Sequence, residues 1–219
     1  MIRPPRANML LRFATCDDIL KYVSEDDVTI LGLDENTYSN CFESIAKAGK
    51  DVVFLPRRIV EISINSIREV GVAKKSVLPA FKPRDTASAR SLARIRQSVV
   101  ILLTPDTLQF VDEYEVNFLK QAHTRKFIEV SLGEFIKNLL GASIRQGAKS
   151  MYMLSETIEK ALKSDVGVVA SGAVELYPKC LFTTHIDVLL YSMGFSKRER
   201  RMILEVYPLE LLDTWLRGE

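Results

Sequence analysis

This 219-residue sequence predicts an α/β fold of parallel strands, built as a trimmed (β/α) barrel or as a doubly wound sheet. Three observations predict it. Seven or eight short, β-branched runs alternate with segments of helical periodicity. Runs such as 99–103 and 166–170 are continuously apolar, as strands covered on both faces are. No fixed-period repeat or Gly/Pro/Ser-rich linker interrupts the alternation, so residues 1–219 read as a single domain. Barrels typically take about 250 residues, so a barrel here is short of some helices.

The elements follow in order. Strands are expected at 9–13, 28–31, 52–55, 77–81, 99–103, 127–130 and 166–170, with 59–64 as a further strand or a strand extension. Tyr38, Cys41, Phe42 and Ile45 mark a first helical face, capped by Asn36 or Thr37 and stopped at Gly49. Val111, Tyr114, Phe118 and Ala122 mark a second. Ile144, Ala148, Met151, Ile158 and Leu162 mark a longer third, its edge blurred by Met153 and Leu154. Phe182, Ile186, Leu189, Leu190 and Met193 form a fourth, ending at Gly194. Ser196 and Glu199 then form a capping box that opens a last helix.

Composition narrows the function. Apolar residues are 47% and charged residues 26% of the chain, an ordinary globular balance. No uncharged run exceeds nine residues, whereas a membrane-spanning helix needs about twenty apolar ones. The basic N-terminus leads into an apolar stretch too short for a signal peptide. Three cysteines at wide spacing predict no disulfide framework and a reducing, cytoplasmic setting. Two histidines and no CxxC exclude histidine- or cysteine-rich metal sites, so no metal ligands are assigned. Nor is there a GxGxxG or GxxxxGK[ST] loop for a nucleotide cofactor.

The net charge of +2 conceals an asymmetry. Residues 17–51 hold nine acids and three bases, while residues 56–96 hold ten bases and three acids. The basic segment suits phosphate or nucleic acid, and the acidic one could face a basic partner.

In parallel α/β folds the ligand side is the C-terminal edge of the strands. The residues just past the expected strand ends are Arg57 and Arg58, Lys82 and Arg84, Ser131, and Ser171 with Gly172. They make an anion-binding edge of bases, hydroxyls and backbone donors without a nucleophile–base pair, and no catalytic residue is assigned. The run Lys197-Arg198-Glu199-Arg200-Arg201 reads as the solvated first turns of a helix. His185 and Cys180 read as structural side chains.

The C-terminal half carries a familiar order. Ser98-Val99-Val100-Ile101-Leu102-Leu103-Thr104-Pro105 is followed by Phe127-Ile128-Glu129-Val130-Ser131-Leu132, a helix at 144–163, Val168-Val169-Ala170-Ser171-Gly172-Ala173, and a helix ending Tyr191-Ser192-Met193-Gly194-Phe195. Over residues 76–212 this resembles protein component 3 of archaeal and eukaryotic ribonuclease P, the thirty-kilodalton subunit family. Residues 1–75 fit in outline. Where the family often has an arginine and a proline before the helix that opens near Thr184, this chain has Tyr177-Pro178-Lys179, then Phe182-Thr183-Thr184. Lys179 is the residue that would supply a basic contact there.

The resemblance implies a TIM-like (β/α) barrel and a protein subunit of the particle that removes the 5′ leader from precursor tRNA. It implies RNase P RNA, a small ferredoxin-like protein subunit and the other RNase P proteins as partners. The RNA would carry the catalytic site and its magnesium, so the isolated chain would hold no cofactor and cleave nothing. Two other readings compete. One is a free-standing barrel enzyme for a small phosphorylated substrate, which an inward Glu61 or Glu129 would favour. The other takes 184–204 as a DNA-binding helix-turn-helix, but Met202-Ile203-Leu204 reads as buried and the β/α portion would be unexplained.

Overall fold

The computed structural model describes residues 5–13, 15–47, 51–67, 76–172 and 179–218. Seven strands form one sheet: β1 (Ala7–Leu11), β2 (Ile30–Asp34), β3 (Val53–Ile62), β4 (Leu78–Pro83), β5 (Val99–Leu103), β6 (Lys126–Ser131) and β7 (Gly167–Ser171). They lie in chain order, and every neighbouring pair is parallel. Strands 5 and 7 are buried along their whole length, as their continuous apolar runs predict.

Two strands outrun their expected ends. β3 continues past Leu55 through Arg57 and Arg58 to Ile62, joining the run at 59–64 as an extension. Pro56 does not stop it. At Pro56 the strand is paired only with β2, because the pairing to β4 begins at Arg57, and a proline is tolerated where one edge needs no donor. Likewise β4 passes Phe81 and ends at Pro83.

The sheet curls into a nearly closed, TIM-like barrel. Arg57 on β3 reaches Glu129 on β6 in a direct ion pair. Three strand spacings along a flat sheet are about 14 Å, so this contact crosses the interior. Both side chains are buried, at 1% and 0% exposure. Gly32 on β2 makes room, since a Cβ there would strike the Met9 carbonyl and lie 3.0 Å from the Arg57 stem.

No backbone ladder joins β1 to β7 among the described residues; the Asn8 side chain bridges them. Its Oδ1 accepts from Gly172 N (2.9 Å), and its Nδ2 donates to Leu181 O (2.9 Å) and Tyr22 Oη (3.0 Å). Tyr22 Oη in turn donates to Asp26 (2.5 Å), which also accepts from Thr183 N and Oγ1. Tyr22 stacks on Phe182 at 5.1 Å. The side chains of Asn8, Tyr22, Asp26 and Thr183 in this chain of contacts are all buried and partnered, as a low-dielectric interior requires.

Helices α1 (Cys16–Glu25), α2 (Glu35–Asn40), α3 (Phe42–Lys47), α4 (Thr86–Ala93) and α5 (Glu113–Lys120) cover the first six strands. Between β6 and β7 come α6 (Leu132–Gly141) and α7 (Ile144–Lys163). After β7, α8 (Thr183–Ser192), α9 (Lys197–Arg201), a π-helical turn (Met202–Val206) and α10 (Tyr207–Arg217) complete the chain. Ile203, Leu204, Tyr207 and Leu211 join the barrel core. The α8–α9 pair is therefore part of the barrel wall, not a separate helix-turn-helix. Gly194 ends α8 with φ +95°, a conformation that suits glycine.

Several helical expectations are corrected. The cap of α2 is Asp34, whose side chain accepts from Asn36 N, and neither Asn36 nor Thr37 fills that role; Gly49 lies outside the described residues. Cys41 and Ile45 are buried, but Phe42 is exposed. On α5 the buried face is Val116 and Leu119, while Tyr114 and Phe118 look outward. Ala148 is exposed and Leu154 buried on α7.

The expectation of no disulfide is also overturned. Cys16, opening α1, is bonded to Cys41 between α2 and α3. Wide separation in sequence says little about distance once two βα units stand side by side. Cys180 is free and buried, and burial pushes its thiol up to about 11.

Candidate nucleic-acid interface

Because all strands are parallel, the C-terminal rim of the barrel is set by the residues at and past their ends. Strand alternation decides which of these side chains reach it. Arg57 does not. Its guanidinium points inward to Glu129 and the Leu78 carbonyl, which corrects its assignment to a phosphate-facing loop. Burial drives its pKa down and that of Glu129 up, and each charge opposes the shift of the other.

Arg58 points outward, with its side chain 49% exposed, and pairs with Glu35 at the start of α2. Arg84 is exposed and donates through Nε (3.0 Å) and Nη2 (2.7 Å) to Glu61 Oε2. Those hydrogen bonds and the guanidinium charge hold the Glu61 carboxyl below its usual range. Lys82 Nζ lies 3.5 Å from Asp106 past the end of β5. Glu134, on the first turn of α6, is pushed up by burial and Asp106 against the pull of Lys82 and Arg12.

The rim is therefore a mosaic of ion pairs, not the purely basic edge that the sequence predicts. Glu35, Asp106 and Glu61 neutralise it, acids that the strand-end positions alone do not point to. The signal was present in part: Glu35 belongs to the acidic segment 17–51, and the β2–β3 register sets Asp34 beside Arg57. Part of that acidic segment thus meets the chain's own basic segment.

The small polar residues are also relocated. Ser131 and Ser171 are the last residues of β6 and β7, and both are buried. The Ser171 hydroxyl is turned inward, 3.5 Å from the Val130 carbonyl and beside Glu129. Ser131 directly precedes α6, makes no capping hydrogen bond with its side chain, and interacts instead with Glu134. The N–H of Gly172 is taken by Asn8, and a Cβ there would sit 2.5 Å from Leu181 O. Gly172 thus serves barrel closure, the two serine hydroxyls are turned to protein partners, and the three do not form an open anion cradle. Ala173, Tyr177 and Pro178 lie outside the described residues. Lys179 is exposed and borders a mostly apolar cavity of about 210 Å³ with Ile136, Leu140 and Leu181.

Glu129 does project inward, the feature that would favour a barrel enzyme. It is sealed on Arg57 with no exposure to solvent, so it has no access to a substrate. Among the described residues no group of three or more His, Cys, Asp or Glu side chains is placed to hold a metal ion. No described helix is long and apolar enough to cross a membrane.

Fold and rim together define a class: a seven-stranded (β/α) barrel, bridged by side chains between its first and last strands, with an ion-paired C-terminal rim. No protein-family model and no curated protein matches the sequence. Among solved structures, the chain is similar to one from a cryo-EM structure of archaeal ribonuclease P with mature tRNA. The TM-score is 0.73 at 12% identity, over 95% of this chain and 91% of that one. A likeness at this identity establishes the shared barrel fold.

Proposed function

We propose that this chain is a protein subunit of ribonuclease P, of the component 3 family, supporting the catalytic RNA in removal of the 5′ leader from precursor tRNA. The observation that carries the reading is the likeness of the barrel, over 95% of the chain, to a chain of the archaeal ribonuclease P structure. The short motifs between Ser98 and Phe195 point the same way independently. Its partners are RNase P RNA, a small ferredoxin-like subunit and the other RNase P proteins. The magnesium of the reaction sits on the RNA, and the isolated chain is non-catalytic.

The rim suits such a role through exchange. Arg58 and Arg84 hold carboxylates in solvent-exposed pairs, and such pairs contribute little to stability. An RNA phosphate can replace Glu35 or Glu61 as partner, releasing condensed counterions as it does so. Lys82 and Lys179 extend the same surface.

The test is co-isolation of the tagged full chain from cells under mild salt. A structured RNA and a small protein subunit should accompany it, and the captured particle should cleave precursor tRNA. Cleavage of precursor tRNA by the RNA-free protein would overturn the reading, as would turnover of a small phosphorylated compound by protein that captures no RNA.

A further inference from the structure

A second basic concavity lies at the other end of the barrel. Arg6 immediately precedes β1, whereas Arg84 and Asp106 lie past the ends of β4 and β5. With Lys197, Arg200, Arg201 and Leu204, Arg6 lines a cavity of about 370 Å³ against α8 and α9. Two carboxylates share it, and both are engaged. Asp187 accepts from Arg200 Nε (2.7 Å), and Glu205 accepts from Arg201 Nε (2.9 Å). Arg6 and Lys197 have no ion pair among the described residues, so the cavity keeps a positive balance.

Two further features bear on what it takes. The Arg200 guanidinium, also held by the Phe195 carbonyl (2.9 Å), lies 5.1 Å from the centre of the Tyr191 ring. Tyr191 is 68% exposed, a flat aromatic face open to solvent beside a basic cavity. The π-helical turn Met202–Val206 continues directly from α9, placing buried Leu204 and Glu205 in the cavity wall. Such turns are rare and are frequently found at functional sites. Arg200 covers one face of the ring, and an exposed ring beside a cluster of bases is how unpaired bases are held, with stacking on the ring and phosphates on the cations.

We propose that this cavity binds an unpaired segment of RNA, with phosphates on Arg6, Lys197 and Arg201 and a base stacked on Tyr191. The choice of RNA rests on the ribonuclease P reading, and the site is separate from the rim. The run 197–201 is then an RNA contact, where the sequence suggested only a solvated helix face.

The experiment measures binding of a labelled single-stranded RNA oligonucleotide and a duplex of equal length to the full chain, over a range of salt. Lys197→Ala with Arg201→Ala should weaken single-strand binding about tenfold and flatten the salt slope by roughly 0.7 per lost contact. Tyr191→Ala should weaken single-strand binding by about tenfold and duplex binding little, while Tyr191→Phe keeps wild-type affinity. These side chains are exposed, and unchanged melting curves will show that the variants fold; Lys197→Met serves if the double variant does not. If single-strand binding is unchanged in these variants but falls in Arg58→Ala with Arg84→Ala, the cavity is not an RNA site and the subunit reading stands. If inorganic phosphate binds the cavity and RNA does not compete with it, the site takes a small anion and the proposal fails. If neither the chain nor its captured complex binds RNA, both readings fall together.

Discussion

Arg57 and Arg58 stand side by side on β3, yet strand alternation sends the first guanidinium into the barrel and the second to the rim. The interior pair, Arg57 with Glu129, is shut off from water and ties two strands on opposite sides of the barrel. The rim pair, Arg58 with Glu35, is about half exposed on its basic side. A charge deprived of water depends on its partner, because nothing else solvates it. A charge at the surface exchanges partners freely, because water offsets most of the loss. One residue type therefore serves as a fixed strut and as an exchangeable contact, and the parity of its position decides which.

The largest expected effect tests the interior side of that contrast. Arg57→Ala or Glu129→Ala leaves a buried charge without its counter-ion, and stability should fall by about 3–5 kcal/mol. Arg57→Met combined with Glu129→Leu removes both charges and keeps volume, so it should recover most of the loss. Urea unfolding of the three variants measures this. A single variant as stable as wild type would mean that the pair is not sealed, and the contrast with the rim would collapse.

Much of this was legible in the sequence, and the failures have physical causes. The continuous apolar runs of β5 and β7 announced a covered parallel sheet, and the capping box at Ser196 opens α9 with both reciprocal contacts formed. The extent of β3 was not legible, because Pro56 and two arginines imitate a turn unless it is known that β4 pairs only from Arg57 onward. Asn8 gave no signal at all. Its role depends on meeting Gly172, more than 160 residues away in sequence. Tyr114 and Phe118 misled because aromatic residues at helical spacing imitate a core face, whereas Val116 and Leu119 fill it. The purely basic edge that the sequence predicts is not what the fold builds: Arg57 turns inward, and Glu35, Asp106 and Glu61, from three different elements, pair with Arg58, Lys82 and Arg84.

A third buried charge sharpens the comparison. Glu115, on the first turn of α5, is buried like Glu129, but neither carboxylate oxygen has a hydrogen-bond partner among the described residues. Burial and nearby Asp112 push its pKa up to about 7, against the weaker pull of Arg90 and Arg94. In the unfolded chain the group titrates near its ordinary value of 4.5. Between those two values the folded state keeps a proton that the unfolded state has released. Stability from this residue is thus full below about pH 4.5 and is lost as pH rises toward 7, by on the order of 3 kcal/mol. Glu115→Gln should abolish that slope in denaturation measured between pH 5 and 8. The same slope in wild type and variant would show that Glu115 finds a partner after all, as Glu129 does.

The smallest effect on stability, and the most telling for function, belongs to the rim. Arg58→Ala and Arg84→Ala each remove one member of an exposed pair, so unfolding curves should barely move. RNA affinity should move, because each base that neutralises a phosphate displaces condensed counterions. If both arginines leave their carboxylates for phosphate, the double variant should bind RNA more weakly across all sequences, with a salt slope flatter by roughly one per lost contact on duplex-like RNA. Removing the competing acids should act oppositely: Glu35→Gln and Glu61→Gln free the arginines in advance and should tighten binding at low salt. That opposite sign separates exchange from simple charge loss elsewhere on the barrel. Arginine and glutamate variants that bind RNA alike at every salt concentration would leave the rim pairs as surface ornament, and the RNA interface would have to lie elsewhere on the molecule.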